Sequence, residues 1–131
     1  MEKRQRLCPT DGAVSIVYEY TNVYLNKAYP HFGINCVFVC NDLICFHNKD
    51  GPTEWHGDFK ILGDDGDRIE MNFDCRGRED RLKCTILWRT DTDLDGRAVY
   101  HGYDYKGRDI KLVYKSRLQR CSRCNAWHRI D

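Results

Sequence analysis

Trp55-His56-Gly57-Asp58-Phe59-Lys60-Ile61-Leu62, then Gly63-Asp64-Asp65-Gly66-Asp67, then Arg68-Ile69-Glu70-Met71-Asn72-Phe73 is the stretch that decides how this chain folds. Apolar and polar side chains alternate on both sides of a segment made only of Gly and Asp. Alternation with period two puts successive side chains on opposite faces of a strand, and Gly and Asp accept the backbone geometry of a tight turn. The stretch reads as a β-hairpin. A shorter counterpart runs Tyr100-His101-Gly102-Tyr103-Asp104, turns at Lys106-Gly107, and returns as Asp109-Ile110-Lys111-Leu112-Val113-Tyr114. Both units open on aromatic-His-Gly, which gives the sequence an internal pseudo-repeat.

The same period extends outward from these hairpins. Val14, Ile16, Tyr18 and Tyr20 alternate with Ser15, Val17 and Glu19, and residues 34–40 form a nearly continuous apolar run. Leu43–His47 follows an Asn41-Asp42 turn, and Leu82–Arg89 supplies a further strand. About eight strands with short connections make an antiparallel meander, and a sheet that long curls or splits. The expected fold is all-β, a small closed barrel or a two-layer sandwich. Residues 21–31 are irregular and read either as a short helix, Asn22–Ala28 ended by Pro30, or as another strand. The chain divides into a single β domain, residues 1–115, and a basic Cys-x-x-Cys tail, residues 116–131.

One face of the strands is predicted to form the core: Trp55, Gly57, Phe59 and Ile61; Ile69, Met71, Phe73 and Cys75; Cys84, Ile86 and Trp88; Tyr100 and Gly102; Ile110, Leu112 and Tyr114. Glycine weakens a strand interior, and Gly57 and Gly102 both fall on this face. They mark a bulge, room for a facing ring, or a pocket. On the pocket reading, Tyr18, Trp55, Gly57, Trp88, Tyr100 and Gly102 would hold a small apolar ligand.

Composition narrows the function classes. The 131 residues suit one compact domain. Lys and Arg number 21 against 20 Asp and Glu, a net charge of +1. Such a balance gives no global grip on nucleic acid or on an anionic membrane, although local patches remain open. Residues 1–13 lack the apolar stretch of a signal peptide, and the apolar run near Ile34–Phe46 is interrupted by Asn41 and Asp42 and too short to span a bilayer. A soluble intracellular protein without membrane contact is expected. In that setting the eight cysteines read as thiols or metal ligands. Cys36, Cys40, Cys45, Cys75 and Cys84 lie in strand-like runs, where a thiol packs as a small hydrophobe; a disulfide framework is the alternative.

The metal signal is the tail, Arg120-Cys121-Ser122-Arg123-Cys124-Asn125-Ala126-Trp127-His128-Arg129. Cys-x-x-Cys lets two thiolates meet one tetrahedral zinc, and His128 follows close behind. Cys121, Cys124 and His128 are three ligands; Cys8, Cys36 or a partner chain would supply a fourth. The same ten residues resemble the opening of a CW-type zinc finger, a small histone-tail reader whose first half runs Cys-x-x-Cys-x-x-Trp-Arg. His128 stands where that family has Arg, and the family's later cysteine pair has no counterpart. The resemblance implies zinc at the cysteines and carries no function beyond that. An unstructured tail with reactive thiols, or a redox pair, are the other readings of this segment.

Other patterns carry less. Asp91-Thr92-Asp93-Leu94-Asp95-Gly96 fits the first half of a calcium-binding EF-hand loop, but Gly102 stands where the bidentate Glu is needed. His47, His56 and His101 each follow an aromatic residue, and three imidazoles on one face could make a hydrolytic zinc site. The leading expectation is a non-enzymatic protein that holds an apolar ligand or a protein partner, with structural zinc at the tail. The alternatives are a metal-dependent hydrolase using His56 and His101, and nucleic-acid contact through Lys115, Arg117, Arg120, Arg123, Arg129 and Trp127.

Overall fold

A computed structural model describes residues 13–28, 33–74, 85–92, 95–104, 107–121, 123–124 and 126–131. Cys8, Cys75, Cys84, Asp93 and Leu94, together with the side chain of Phe73, lie outside the described residues. The elements are β1 (Val14–Asn22), α1 (Val23–Ala28), β2 (Cys36–Cys40), β3 (Leu43–Asn48), β4 (Gly51–Leu62), β5 (Arg68–Asp74), β6 (Thr85–Thr92), β7 (Ala98–Tyr103), β8 (Asp109–Arg120) and β9 (Trp127–Arg129). Each strand pairs antiparallel with the next, and β1 returns to pair with β8. That closure makes an eight-stranded barrel and removes the free edges an open sheet would present. The all-β antiparallel expectation is met, in its barrel form.

The strand β8 reaches Arg120, past the Lys115 boundary expected from alternation. The reason is a bulge. Val17 of β1 pairs with Ser116 and Tyr18 with Tyr114, so Lys115 is left without an opposite residue. The bulge shifts the side-chain phase at Lys115 while hydrogen bonding continues, and the sequence signal stops where the strand does not. β8 has twelve residues and β7 only six. On the edge that β7 leaves vacant, Leu118, Gln119 and Arg120 pair with Arg129, His128 and Trp127 of β9. The basic tail is thus partly strand.

The barrel interior holds Tyr18, Tyr20, Val37, Val39, Ile44, Phe46, Trp55, Phe59, Ile69, Met71, Leu87, Tyr100, Ile110 and Leu112, all buried. Rings meet at their edges, as the aromatic quadrupole favours: Tyr18 and Tyr100 have centroids 6.4 Å apart at 81°, Tyr20 and Phe46 5.3 Å apart at 82°. Trp55 turns inward beside a bulge in β4, where the Thr53 hydroxyl donates to the Phe46 carbonyl at 2.9 Å and accepts from the Trp55 N–H at 3.1 Å. Within the irregular stretch, Asn22 ends β1 and Val23–Ala28 forms the short helix α1, with Asn26 Nδ2 donating to the Ile34 carbonyl, while Pro30, expected to end the helix, lies outside the described residues.

Two expectations about the core need correction. Ile86 and Trp88 face outward, at 36% and 51% exposure, while Thr85 and Leu87 face inward. Both phases of β6 carry apolar residues, so periodicity alone cannot choose between them. Pairing decides: Leu87 stands between inward Ile69 of β5 and inward Gly102 of β7. Ile61 is 52% exposed because it lies near the open end of the barrel, not in its middle. Cys40 and Cys45 are buried and Cys36 half-buried, none of the three in a disulfide, as expected for thiols packed as small hydrophobes. Among the described residues, no helix is long and apolar enough to cross a membrane.

Candidate metal centre

Extension of β8 past the end of β7 places the Cys-x-x-Cys segment on a hairpin. Arg120 pairs with Trp127, and the next rung is the Cys121 N–H donating to the Ala126 carbonyl at 2.8 Å. That bond closes the loop containing both cysteines and returns the chain so that His128 stands beside them. Cys124 Sγ lies 2.9 Å from His128 Nε2. The ligand atoms of Cys121, Cys124 and His128 all lie within 4.8 Å of one another. Donors on one tetrahedral zinc are separated by roughly 3.3–3.8 Å, given Zn–S near 2.3 Å and Zn–N near 2.0 Å. Small side-chain rotations therefore convert this cluster into three corners of a tetrahedron. Two thiolates and an imidazole suit zinc better than calcium or magnesium, which take oxygen ligands. Cys124 and His128 are exposed and Cys121 half-buried, so an ion can enter from solvent.

Beyond the hairpin, the chain is fastened to β8. The Ile130 N–H donates to the Arg117 carbonyl at 3.0 Å, and the Asp131 carboxylate accepts from the Arg117 N–H at 3.1 Å and from the Tyr114 hydroxyl. Desolvation, then this hydrogen bond, pushes the Tyr114 phenol up to about 12. The same bond stabilises the Asp131 carboxylate and moves its pKa below the ordinary value.

The histidines do not converge as a hydrolytic site requires. His56 is on β4 and His101 on β7, with β5 and β6 between them. Strands are spaced about 4.8 Å apart, so three strand steps separate these imidazoles by roughly 14 Å. The two aromatic-His-Gly units are not neighbours. His101 Nδ1 instead hydrogen-bonds Thr90 Oγ1 at 2.9 Å. His47 stacks on Phe38 with centroids 4.1 Å apart, and burial there lowers its pKa to about 4.

The residues considered for an apolar ligand are dispersed. Tyr18, Trp55 and Tyr100 belong to the packed interior. Gly57 is half-buried on β4, opposite Ile44 and Phe73. Gly102 is buried where two strands approach closely. Trp88 is on the outer wall, with the Arg68 guanidinium 5.2 Å from its ring centroid. A groove that sequence reading did not find lies at one end of the barrel. It has a volume of about 260 Å³ and is lined by Val14, Ile16, Val39, Asn41, Asp42, Phe59, Ile61 and Arg117. Its residues come from four strands and one turn, and no single stretch of sequence marks them as a set.

No family model, curated protein or solved structure matches this chain. The functional reading rests on the geometry alone.

Proposed function

We propose that this chain is a zinc-binding β-barrel in which the β8–β9 hairpin holds the ion through Cys121, Cys124 and His128, and that it acts by binding rather than by catalysis. One observation carries the reading: three donors of zinc-preferring chemistry within 4.8 Å of one another on a closed hairpin. The metal would play a structural part. β9 has three residues and a largely exposed surface, so little apolar burial holds it, and a bound ion supplies what packing does not. Elemental analysis of protein reconstituted with zinc under reducing conditions tests this. One equivalent is expected, lost in Cys124→Ala and kept in His101→Ala. Absence of metal, or retention by Cys124→Ala, would overturn it.

The end groove favours a second reading, that a small apolar ligand binds there. A fluorescent apolar probe, 1-anilinonaphthalene-8-sulfonate, should bind the native protein and be lost on filling the groove from its exposed rim with Ile61→Trp. Binding unchanged by that substitution would discard this reading.

A further inference from the structure

We infer that Cys121 and Cys124 form a peroxide-responsive dithiol: a hydroperoxide oxidises the pair to a disulfide, and the hairpin then gives up its metal ion. This rests on the zinc reading above and adds the chemistry that unloads the site.

Thiols that respond reversibly to oxidants share two properties, access to solvent and a second thiol poised to resolve the first product. The hairpin has both. Cys124 is exposed and Cys121 half-buried, and their sulfurs lie within 4.8 Å of each other. The loop that carries them is closed by the Cys121 N–H on the Ala126 carbonyl at 2.8 Å. The second thiol is therefore held beside the first at a high effective concentration. A disulfide brings its sulfurs to about 2.05 Å, so the two side chains rotate toward each other as it forms. Exposure assigns the roles: Cys124 meets the oxidant and Cys121 resolves.

The other thiols among the described residues are shielded. Cys40 and Cys45 are 2% and 3% exposed. Cys36 is half-buried, and burial pushes its thiol up from the ordinary value. That reduces the thiolate fraction, the form that attacks an oxidant. Oxidation is directed to the hairpin by access.

The steps balance. A lone pair on the Cys124 sulfur attacks one peroxide oxygen and the O–O bond breaks. The departing oxygen takes a proton from solvent and leaves as an alcohol, or as water when the oxidant is hydrogen peroxide. Cys124 is then a sulfenic acid. The Cys121 sulfur attacks the Cys124 sulfur, the S–O bond breaks, and hydroxide leaves as water after taking a second proton. Two electrons have passed from the sulfur pair to the peroxide. Zinc is held by deprotonated thiolates, and a disulfide has none. His128 is left as the single donor of the three, and the ion dissociates. The tie it made between the hairpin loop and β9 goes with it.

Hydrogen peroxide added to the full, zinc-loaded chain tests this, with the chelating dye 4-(2-pyridylazo)resorcinol reporting released metal. One equivalent of zinc should be released. Mass spectrometry that maps all eight cysteines should find a Cys121–Cys124 crosslink. Reduction with a phosphine and fresh zinc should restore the loaded protein. In Cys121→Ser the resolving thiol is gone, and dimedone should capture the sulfenic acid on Cys124. Zinc retained after peroxide overturns the inference and leaves the zinc reading standing. So does a crosslink from either cysteine to any other, dimedone on Cys36 in place of Cys124, or irreversible loss through sulfinic acid. Failure of the reduced chain to bind zinc at all overturns both readings together.

Discussion

Gly102 lies directly opposite Leu87 on the inner wall of the barrel, and it is there because no side chain fits. A methyl group at Gly102 would come within 2.5 Å of the Ile86 carbonyl oxygen and 3.1 Å of Leu87 Cγ. This glycine, which the sequence alone reads as a bulge, room for a facing ring or a pocket, marks a close approach of β6 to β7. Gly102→Ala should destabilise the fold by about 1–3 kcal/mol through overpacking, measured by urea titration. Trimming Leu87 in the same chain should not restore stability, because the tighter contact is with backbone. Recovery in the Gly102→Ala/Leu87→Ala double variant would show that the side chain, not the strand approach, was the constraint.

The two tryptophans Trp55 and Trp88 should respond to truncation in opposite ways. Trp55 is 2% exposed within the core, whereas Trp88 is 51% exposed with Arg68 against one side of its ring. Trp55→Ala leaves a large cavity and should cost about 3–5 kcal/mol. Trp88→Ala gives up mainly a surface cation–π contact, worth about 0.5–1 kcal/mol. Chemical denaturation of both variants tests the orientation of β6; equal losses would show that Trp88 also faces inward.

Trp88 also shows where sequence stops being informative. The inward residues Trp55, Phe59, Ile69, Met71 and Ile110 were legible because each stands between polar neighbours. In β6 the run Ile86-Leu87-Trp88 is apolar in both phases, and only pairing with β5 and β7 selects one. In β8 the phase changes at Lys115 because of a bulge set by β1, a long-range partner that a local pattern does not contain. Cys121, Cys124 and His128 were legible from spacing, since their neighbourhood is local. The hairpin that joins them was not, because it depends on the edge that β7 leaves vacant.

A different test concerns the Thr53 hydroxyl, which bridges two strands at the β4 bulge. It serves both the Phe46 carbonyl and the Trp55 N–H inside the barrel wall. Thr53→Val preserves shape and leaves both groups without that partner. The expected loss is about 1–3 kcal/mol, the range for removing one partner of buried hydrogen bonds. Thr53→Ser keeps the hydroxyl and should retain most of the stability, as thermal unfolding of the two variants would show.

Acid should weaken the barrel partly through His47. Desolvation lowers its folded-state pKa to about 4, whereas the unfolded chain titrates near the ordinary value of about 6.5. Between these values the unfolded state binds more protons than the folded one, so stability falls as pH drops from about 6.5 to about 4 and is unaffected by this group above that window. His47→Gln should flatten the difference in stability between pH 7 and pH 4.5 relative to the native chain. An unchanged slope would assign acid sensitivity to the carboxylates instead.

Metal removal should act on one edge of the structure before the rest. β9 is held by its pairing to Leu118–Arg120, the Ile130–Arg117 bond and the Asp131 carboxylate on Tyr114 and Arg117, with few buried side chains behind it. Segments of that kind open locally at free energies well below global unfolding. A zinc ion held by Cys121, Cys124 and His128 would tie the hairpin loop to the start of β9, so that opening would require breaking metal bonds. On chelation, amide exchange at His128 and Ile130 should accelerate by at least about tenfold, equivalent to 1.4 kcal/mol of lost protection. Amides of β1 and of the β8 segment paired with it should keep theirs, because the barrel closure does not pass through the site. Tyr114 reports the same event optically: once Asp131 leaves, its phenol should ionise at lower pH than about 12, seen as tyrosinate absorption. Equal exchange at His128 and Ile130 with and without chelator would mean that β9 is held by pairing alone and that the ion has no structural part in the hairpin.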